Sequence, residues 1–337
     1  MTTLIRPPSR EVRTWAFDSR RWSHWRPRED DIVIGTYPKC GTTWMQRIVG
    51  MLVFRSAEPF PIHDVSPWLD ARFRQPIEVV ADKAEAQTHR RLLKSHLPFD
   101  ALPLYEGGVR YIHVARDGRD ACLSFHNHSL AFTPAALANF DRIGLDDPWV
   151  GRPYPRAEQD FRAFFRRWVA TDAATGQATP SPDFFDFEWS WWAERARPNI
   201  LLVHYADLKS DLAGEVRRIA AFLEIECAPD ILGRIVEAAG FDAMRRDGER
   251  LLPNAGVTFE GGAGRFLFRG TNGRWRDVLG PEELALYEAR VATGFAPDCA
   301  RWMEGGRLAA GDPSSSECAL PPRTGTPRNS RRTKPTQ

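Results

Sequence analysis

The chain has 337 residues, with 46 Lys and Arg against 44 Asp and Glu and a formal charge of +2. That balance excludes a nucleic-acid binder working through a general basic surface, so any recognition of anions is local. With 42% hydrophobic and 27% charged residues, the composition is that of a globular chain long enough for one large α/β domain or two small ones.

Residues 1–27 are polar but carry Trp15, Phe17, Trp22 and Trp25, which predicts an irregular N-terminal segment packed through its aromatics. Its opening stretch, MTTLIRPPSREVRTW, has no apolar run and does not read as a signal peptide. Four short apolar runs follow: DIVIG (31–35), RLLKS (91–95), VRYIHVA (109–115) and NILLVHY (199–205). None alternates cleanly with polar residues, the pattern of strands buried on both faces of a parallel sheet. Helical spacing fills the gaps, as Trp44, Ile48, Met51 and Leu52 after the first run and Leu212, Val216, Ile219, Ala220 and Leu223 after the fourth. Strands alternating with helices predict an α/β fold with a central parallel sheet covered on both faces.

Pro134, Pro148, Pro153 and Pro155 punctuate residues 129–190, which predicts loops and helices laid over the sheet as a lid or pocket wall. Residues 306–337, rich in Pro, Ser, Thr and Arg, predict a disordered tail. The main domain is thus expected over 28–305. Apolar runs such as IVGMLVF fall far short of the ~18 residues of a membrane span, so no membrane partner is expected. Cys40, Cys122, Cys227, Cys299 and Cys318 are scattered, odd in number and never CxxC. They point to a reducing, cytoplasmic setting rather than a disulfide framework or a zinc site.

In open parallel sheets ligands bind beyond the carboxyl ends of the strands. The predicted strands end at Lys39, at Lys94 and His96, at Arg116, and at His204 and Tyr205. Together these describe an anion site with a base in it. In TYPKCGTTW (36–44), Gly41 lets backbone approach a ligand and the amides of 41–43 begin a helix, where unpaired N–H groups favour a phosphate-like anion. The lysine precedes the glycine by two positions, whereas Walker A places Gly-Lys-Ser/Thr in succession, so the loop is P-loop-like without being Walker A. The plain alternative is a turn capped by Thr42 or Thr43.

His96, in KSHLP (94–98), sits just past a buried strand and titrates in the range of a general base; a core histidine bonded to backbone is the alternative. In ARDGRDACLS (115–124), Arg116 ends a strand and Ser124 lies in the second turn of the next helix, where both reach one further anion; an Arg116–Asp120 ion pair is the alternative. His126 and His128 stand two apart on that helix and face different ways, which argues against a metal pair. FRGTNGRW (268–275) adds glycines and arginines able to wrap an anion.

In this order and over about residues 28–300, these motifs resemble the cytosolic sulfotransferase family, whose donor is 3′-phosphoadenosine 5′-phosphosulfate (PAPS). TYPKCGTTW is similar to its 5′-phosphosulfate loop, KSHLP to the segment of its catalytic histidine, ARDGRDACLS to its 3′-phosphate site and FRGTNGRW to its C-terminal Gly-rich loop. The resemblance implies a P-loop NTPase-like three-layer α/β/α fold. It assigns catalysis to His96 as base with Lys39 and Lys94. It assigns donor binding to Lys39, Cys40, Gly41, Thr42, Thr43, Trp44, Arg116, Ser124, Tyr205, Phe241, Phe268, Arg269 and Gly270.

The sequence departs from the family in four places. Cys40 stands for a common serine, Phe268-Arg269-Gly270 for Arg-Lys-Gly, and Ala239 for an adenine-side threonine. RDVLGPEELA (276–285) lacks the family's dimer motif, which implies a monomer or a dimer built otherwise. The expected reaction moves a sulfuryl group from PAPS to a hydroxyl or amine of a small apolar acceptor, without a metal. Loops at 60–90 and 129–160 would shape the acceptor pocket, with His128 in its lining. Two rivals remain at this stage: a P-loop-like nucleotide kinase, which would need ATP and Mg²⁺, and a catalytically silent nucleotide-binding module, which Phe268 and Ala239 keep open.

Overall fold

A computed structural model describes residues 2–175 and 177–315. Its centre is a four-stranded, all-parallel sheet of order β3-β2-β5-β6, built from β2 (Ile32–Thr36), β3 (Leu92–Ser95), β5 (Arg110–Ala115) and β6 (Ile200–His204). Ile34 lies opposite Lys94 on one side and Ile112 on the other, and Ala115 opposite His204. The four apolar runs of the sequence are these four strands.

Alternation along the strands sends side chains to two cores. Ile32, Ile34, Ile112, Val114 and Val203 pack with Ile48, Met51 and Leu52 of helix α1 (Thr42–Phe54) and with Val216 and Ile219 of helix Leu212–Phe222. Val33, Leu93, Tyr111 and Leu202 pack on the opposite face against Phe99, Phe187 and Trp191. Gly35 makes that second face possible, because a Cβ there would lie 2.2 Å from the Trp191 ring. Helices therefore cover both faces, giving the three-layer α/β arrangement.

Connections leave β2 toward β3 on one side and reach β5 on the other. The crevice between the carboxyl ends of β2 and β5 is thus the switch point where such folds bind ligands.

Two boundaries differ from the sequence reading. The N-terminal segment contains a strand, β1 (Thr3–Arg6), paired antiparallel with β4 (Leu104–Glu106), and a 3-10 turn at Ser19–His24. Trp15, Trp22 and Trp25 are buried. At the other end, helix Arg307–Ala310 is held because the Arg307 and Leu308 amides donate to Asp207 (2.7 and 3.0 Å) and the Arg307 guanidinium to Glu215 (2.9 Å). The expected tail therefore does not begin at 306; its part from 316 on lies outside the described residues. No helix among the described residues is long and apolar enough to cross a membrane, and Cys40, Cys122 and Cys227 form no disulfide.

Candidate active site

Beyond β2 the chain turns sharply. Lys39 adopts a left-handed backbone (φ 71°), and Gly41 (φ 110°) caps α1 with its Cα against the Tyr205 ring. The first backbone bond of α1 is Met45 N–H to the Gly41 carbonyl at 3.0 Å. The amides of Gly41, Thr42 and Thr43 have no backbone acceptor among the described residues, so they and the helix dipole open onto the cavity. Cys40 corrects the sequence reading: its thiol is fully buried in the core and its amide donates to the Tyr37 carbonyl at 3.2 Å. It lines no part of the cavity, which explains why cysteine serves here.

One cavity of about 230 Å³ is lined by Lys39, Gly41, Thr42, Thr43 and Trp44 from this turn, by Lys94, His96, Arg116, Ser124 and Tyr205, and by Phe241, Phe268, Arg269 and Gly270. The structure thus brings together every expected site residue except Cys40. His204 stays out of it. It is buried, caps helix Tyr205–Ser210 by accepting from the Ala206 amide at Nδ1, and places Nε2 3.1 Å from the Met303 carbonyl.

His96 is oriented at both ends. Its Nδ1 lies 2.7 Å from the Thr36 carbonyl. A carbonyl only accepts, so Nδ1 carries the proton and Nε2 keeps its lone pair. The His96 amide donates to Asp70 (3.1 Å), which also accepts from the indoles of Trp22 (3.1 Å) and Trp68 (2.7 Å). Burial first, and the charge of Lys94 second, push the imidazole well below the ordinary histidine range. It is therefore neutral, and basic at Nε2, at neutral pH. Thr36 also links the base to the anion loop, its hydroxyl lying 2.5 Å from that of Thr42.

Two lysines flank the base. Burial, and then Arg116, lower Lys39 to about 7; its Nζ stands 3.4 Å from His128 Nδ1 and 4.2 Å from the centre of the Phe266 ring. Lys94 Nζ lies 3.7 Å over the Trp68 ring, and burial lowers it well below its ordinary value, followed by the charge of Arg74. His126 points elsewhere, to the Glu158 carbonyl at 2.8 Å, so the two histidines of the HxH pair diverge.

Arg116 is held from several sides. The Arg116 guanidinium donates to the Thr271 carbonyl (2.9 Å), the Asn272 side chain (3.0 and 3.2 Å) and the Lys39 carbonyl (3.2 Å), and stacks 4.2 Å over Tyr205. Asp120 does not pair with it; its carboxylate accepts from the Gly273 amide at 3.0 and 2.8 Å. Around Phe268 stand the guanidinium carbons of Arg269 (5.1 Å), Arg265 (5.2 Å) and Arg274 (5.5 Å). Three arginines thus gather on the aromatic ring that stands where the Arg-Lys-Gly pattern has its first cation.

The Ala239 carbonyl accepts from the Trp44 indole at 2.7 Å, and its side chain is buried. Gly270 (φ 62°) lets the loop lie flat on Phe241, where a Cβ would come within 2.4 Å of the ring. Gly270→Ala is expected to lift the loop and weaken nucleotide binding roughly tenfold, the scale of a left-handed alanine. Titration calorimetry checks this, and unchanged affinity would remove the loop from the site.

The far end of the cavity is aromatic: Phe17, Trp68, Phe73, Phe132, Tyr154 and Phe259 face it. The loops at 60–90 and 129–160 contribute to the lining, but residues 254–267 and Phe17 were missed by sequence reasoning, as were Thr36 and Asn272.

The cavity thus joins a neutral imidazole, the open amides of a helix N-terminus and an arginine bound to a glycine-rich loop. Residues 29–294 match the family described as "Sulfotransferase domain". The chain is 34% identical to a glycolipid sulfotransferase of Mycobacterium tuberculosis, over 312 residues covering 86% of this chain and 92% of that one. It is 27% identical to human sulfotransferase 1C2 over 288 residues, 82% and 84% of the two chains. Among solved structures it is similar to mouse sulfotransferase SULT7A1 complexed with PAP (TM-score 0.61, 19% identity, 88% of this chain and 93% of that one). It is also similar to a retinol dehydratase in complex with androsterone and inactive cofactor PAP (TM-score 0.62, 20% identity, 83% and 87%). The chain belongs to the sulfotransferase family and is a sulfotransferase.

Proposed function

We propose that the enzyme moves the sulfuryl group of PAPS to a hydroxyl or amine of a small, largely apolar acceptor. The observation that carries this reading is one cavity holding Lys39, Lys94, a neutral His96 and the Arg116 clamp. The Gly41–Thr43 amides and Lys39 suit the 5′-phosphosulfate; Arg116, Ser124, Arg269 and Gly270 suit the 3′-phosphate; Trp44, Tyr205 and Phe241 offer faces for adenine. The solved relatives bound to PAP support that choice of donor.

In the reaction the acceptor oxygen or nitrogen forms a bond to sulfur as the sulfur–oxygen bond to the 5′-phosphate breaks. His96 Nε2 takes the acceptor proton. Lys39 offsets charge on the departing phosphate, and Lys94 offsets charge on the sulfuryl oxygens. This is positioning and preorganised electrostatics, and the residues present need no metal for it.

Calorimetry with adenosine 3′,5′-bisphosphate, AMP, and ATP with Mg²⁺ tests the donor. The bisphosphate is expected to bind roughly 10- to 150-fold tighter than AMP, the scale of a charged hydrogen bond. A preference for ATP would return the chain to a kinase-like reading. The same titrations carry a pH signature. Free Lys39 loses its proton as pH rises through about 7, and the anion favours the ammonium. Above pH 7 binding therefore takes up a proton and affinity falls with rising pH. Buffers of different ionisation enthalpy read that uptake directly. Lys39→Arg should abolish it, and a flat profile from pH 6.5 to 8.5 in the parent enzyme would contradict it.

A further inference from the structure

The charged residues of the cavity lining are lysines and arginines save for Asp120, already bound to the Gly273 amide and its one carboxylate among the described residues. Lys39, Arg116 and Arg269 face the expected positions of the donor's anions. Arg74 does not belong to that group. It follows Trp68 and Phe73 on the loop that walls the aromatic end, with its guanidinium carbon 5.9 and 5.7 Å from those two rings.

Arg74 donates to His63 Nε2 at 3.1 Å and forms no ion pair among the described residues. Burial holds it below its ordinary value, at about 10, against the opposing charge of Asp64. Lys94 and His63 both feel its charge. Arg74 is nonetheless an exposed side chain. Its exposure on the cavity wall and its low value fit a guanidinium that opens onto the cavity while protein surrounds it. Trp68 joins it to the chemistry, since the same indole has the His96 ring at 4.9 Å and Lys94 Nζ at 3.7 Å. A ligand lying along Trp68 would therefore reach His96 with one end and the Arg74 guanidinium with the other.

We propose that the acceptor carries an anionic group, a carboxylate or a phosphate, on the side of its ring-sized apolar body away from the reacting hydroxyl, and that Arg74 binds it. This rests on the sulfuryl-transfer reading above and narrows its acceptor. An uncharged acceptor would leave the guanidinium beside two aromatic rings with Asp64 near but no ion pair, whereas a carboxylate matches its planar fork.

The test compares two phenols of one shape, 3-(4-hydroxyphenyl)propanoate and 3-(4-hydroxyphenyl)propanamide, titrated into the full chain saturated with adenosine 3′,5′-bisphosphate. The propanoate is expected to bind about tenfold tighter, the lower end of a charge-assisted bond because the site is open to water. Arg74→Gln should bring the ratio close to one, and Arg74→Lys should restore part of it. Equal affinities in the parent enzyme, a preference that survives Arg74→Gln, or binding of neither phenol to the bisphosphate complex would overturn the assignment. Failure of the bisphosphate itself to bind would instead overturn the donor reading, so the two failures are distinct.

Discussion

Replacing His96 with alanine is expected to lower kcat by about 10²–10⁴-fold, the usual contribution of a positioned general base, with bisphosphate affinity close to that of the parent. The expectation comes from the tautomer. With Nδ1 committed to the Thr36 carbonyl, Nε2 is the one imidazole atom able to accept a proton, and burial keeps it unprotonated. His96→Asn sharpens the test, because its amide can still donate toward Thr36 but supplies no base. Both variants are read by single-turnover kinetics with a phenol acceptor, alongside bisphosphate calorimetry. Near-parent turnover in either would assign the proton to another group. The pH profile gives an independent check. A histidine held well below its ordinary range stays basic in mildly acidic solution, so acid loss of activity should set in below the usual histidine midpoint.

Arg116→Ala is expected to weaken bisphosphate binding about 10- to 150-fold while changing AMP binding far less. The side chain has two tasks. On the donor reading proposed above it presents positive charge to the 3′-phosphate, and its donors to Thr271 and Asn272 fasten the glycine-rich loop. Arg116→Lys separates them, since an ammonium keeps the charge but loses the planar fork. The lysine variant should fall between parent and alanine. An equal loss for bisphosphate and AMP would show that Arg116 holds the loop without reading the 3′-phosphate.

The site was legible in the sequence wherever a residue's place follows from a strand end. Lys39, Lys94, His96 and Arg116 each stand at or just beyond a short apolar run, and a parallel sheet aligns such ends on one rim. Cys40 was misplaced because a loop sequence does not tell which residues of a tight turn face outward. His204 was credited to the rim because it ends a strand, yet it turns under the sheet to Met303.

The strands β1 and β4 were missed for another reason. They are four and three residues long, and their pairing joins segments about a hundred residues apart, which no local periodicity reports. Phe17, Trp68, Phe132 and Phe259 share that difficulty, since a loop aromatic looks like any core aromatic until distant segments meet. Asn272 was hidden among turn residues of a Gly-rich stretch, although its side chain is what Arg116 grips.

The aromatic end of the cavity takes its walls from four separate stretches: Phe17, then Trp68 to Arg74, then Phe132 to Tyr154, then residues near Phe259. None of these wall residues belongs to the four-stranded sheet, whose own faces are filled by Trp191 on one side and α1 on the other. Sequence change can therefore accumulate around the acceptor with little disturbance to the donor's seat. Two wall residues are exceptions: Phe266 lies under Lys39, and Trp68 carries Lys94 and meets the His96 ring. A library that varies the other wall positions and holds Phe266 and Trp68 fixed is the route this architecture offers to new acceptors.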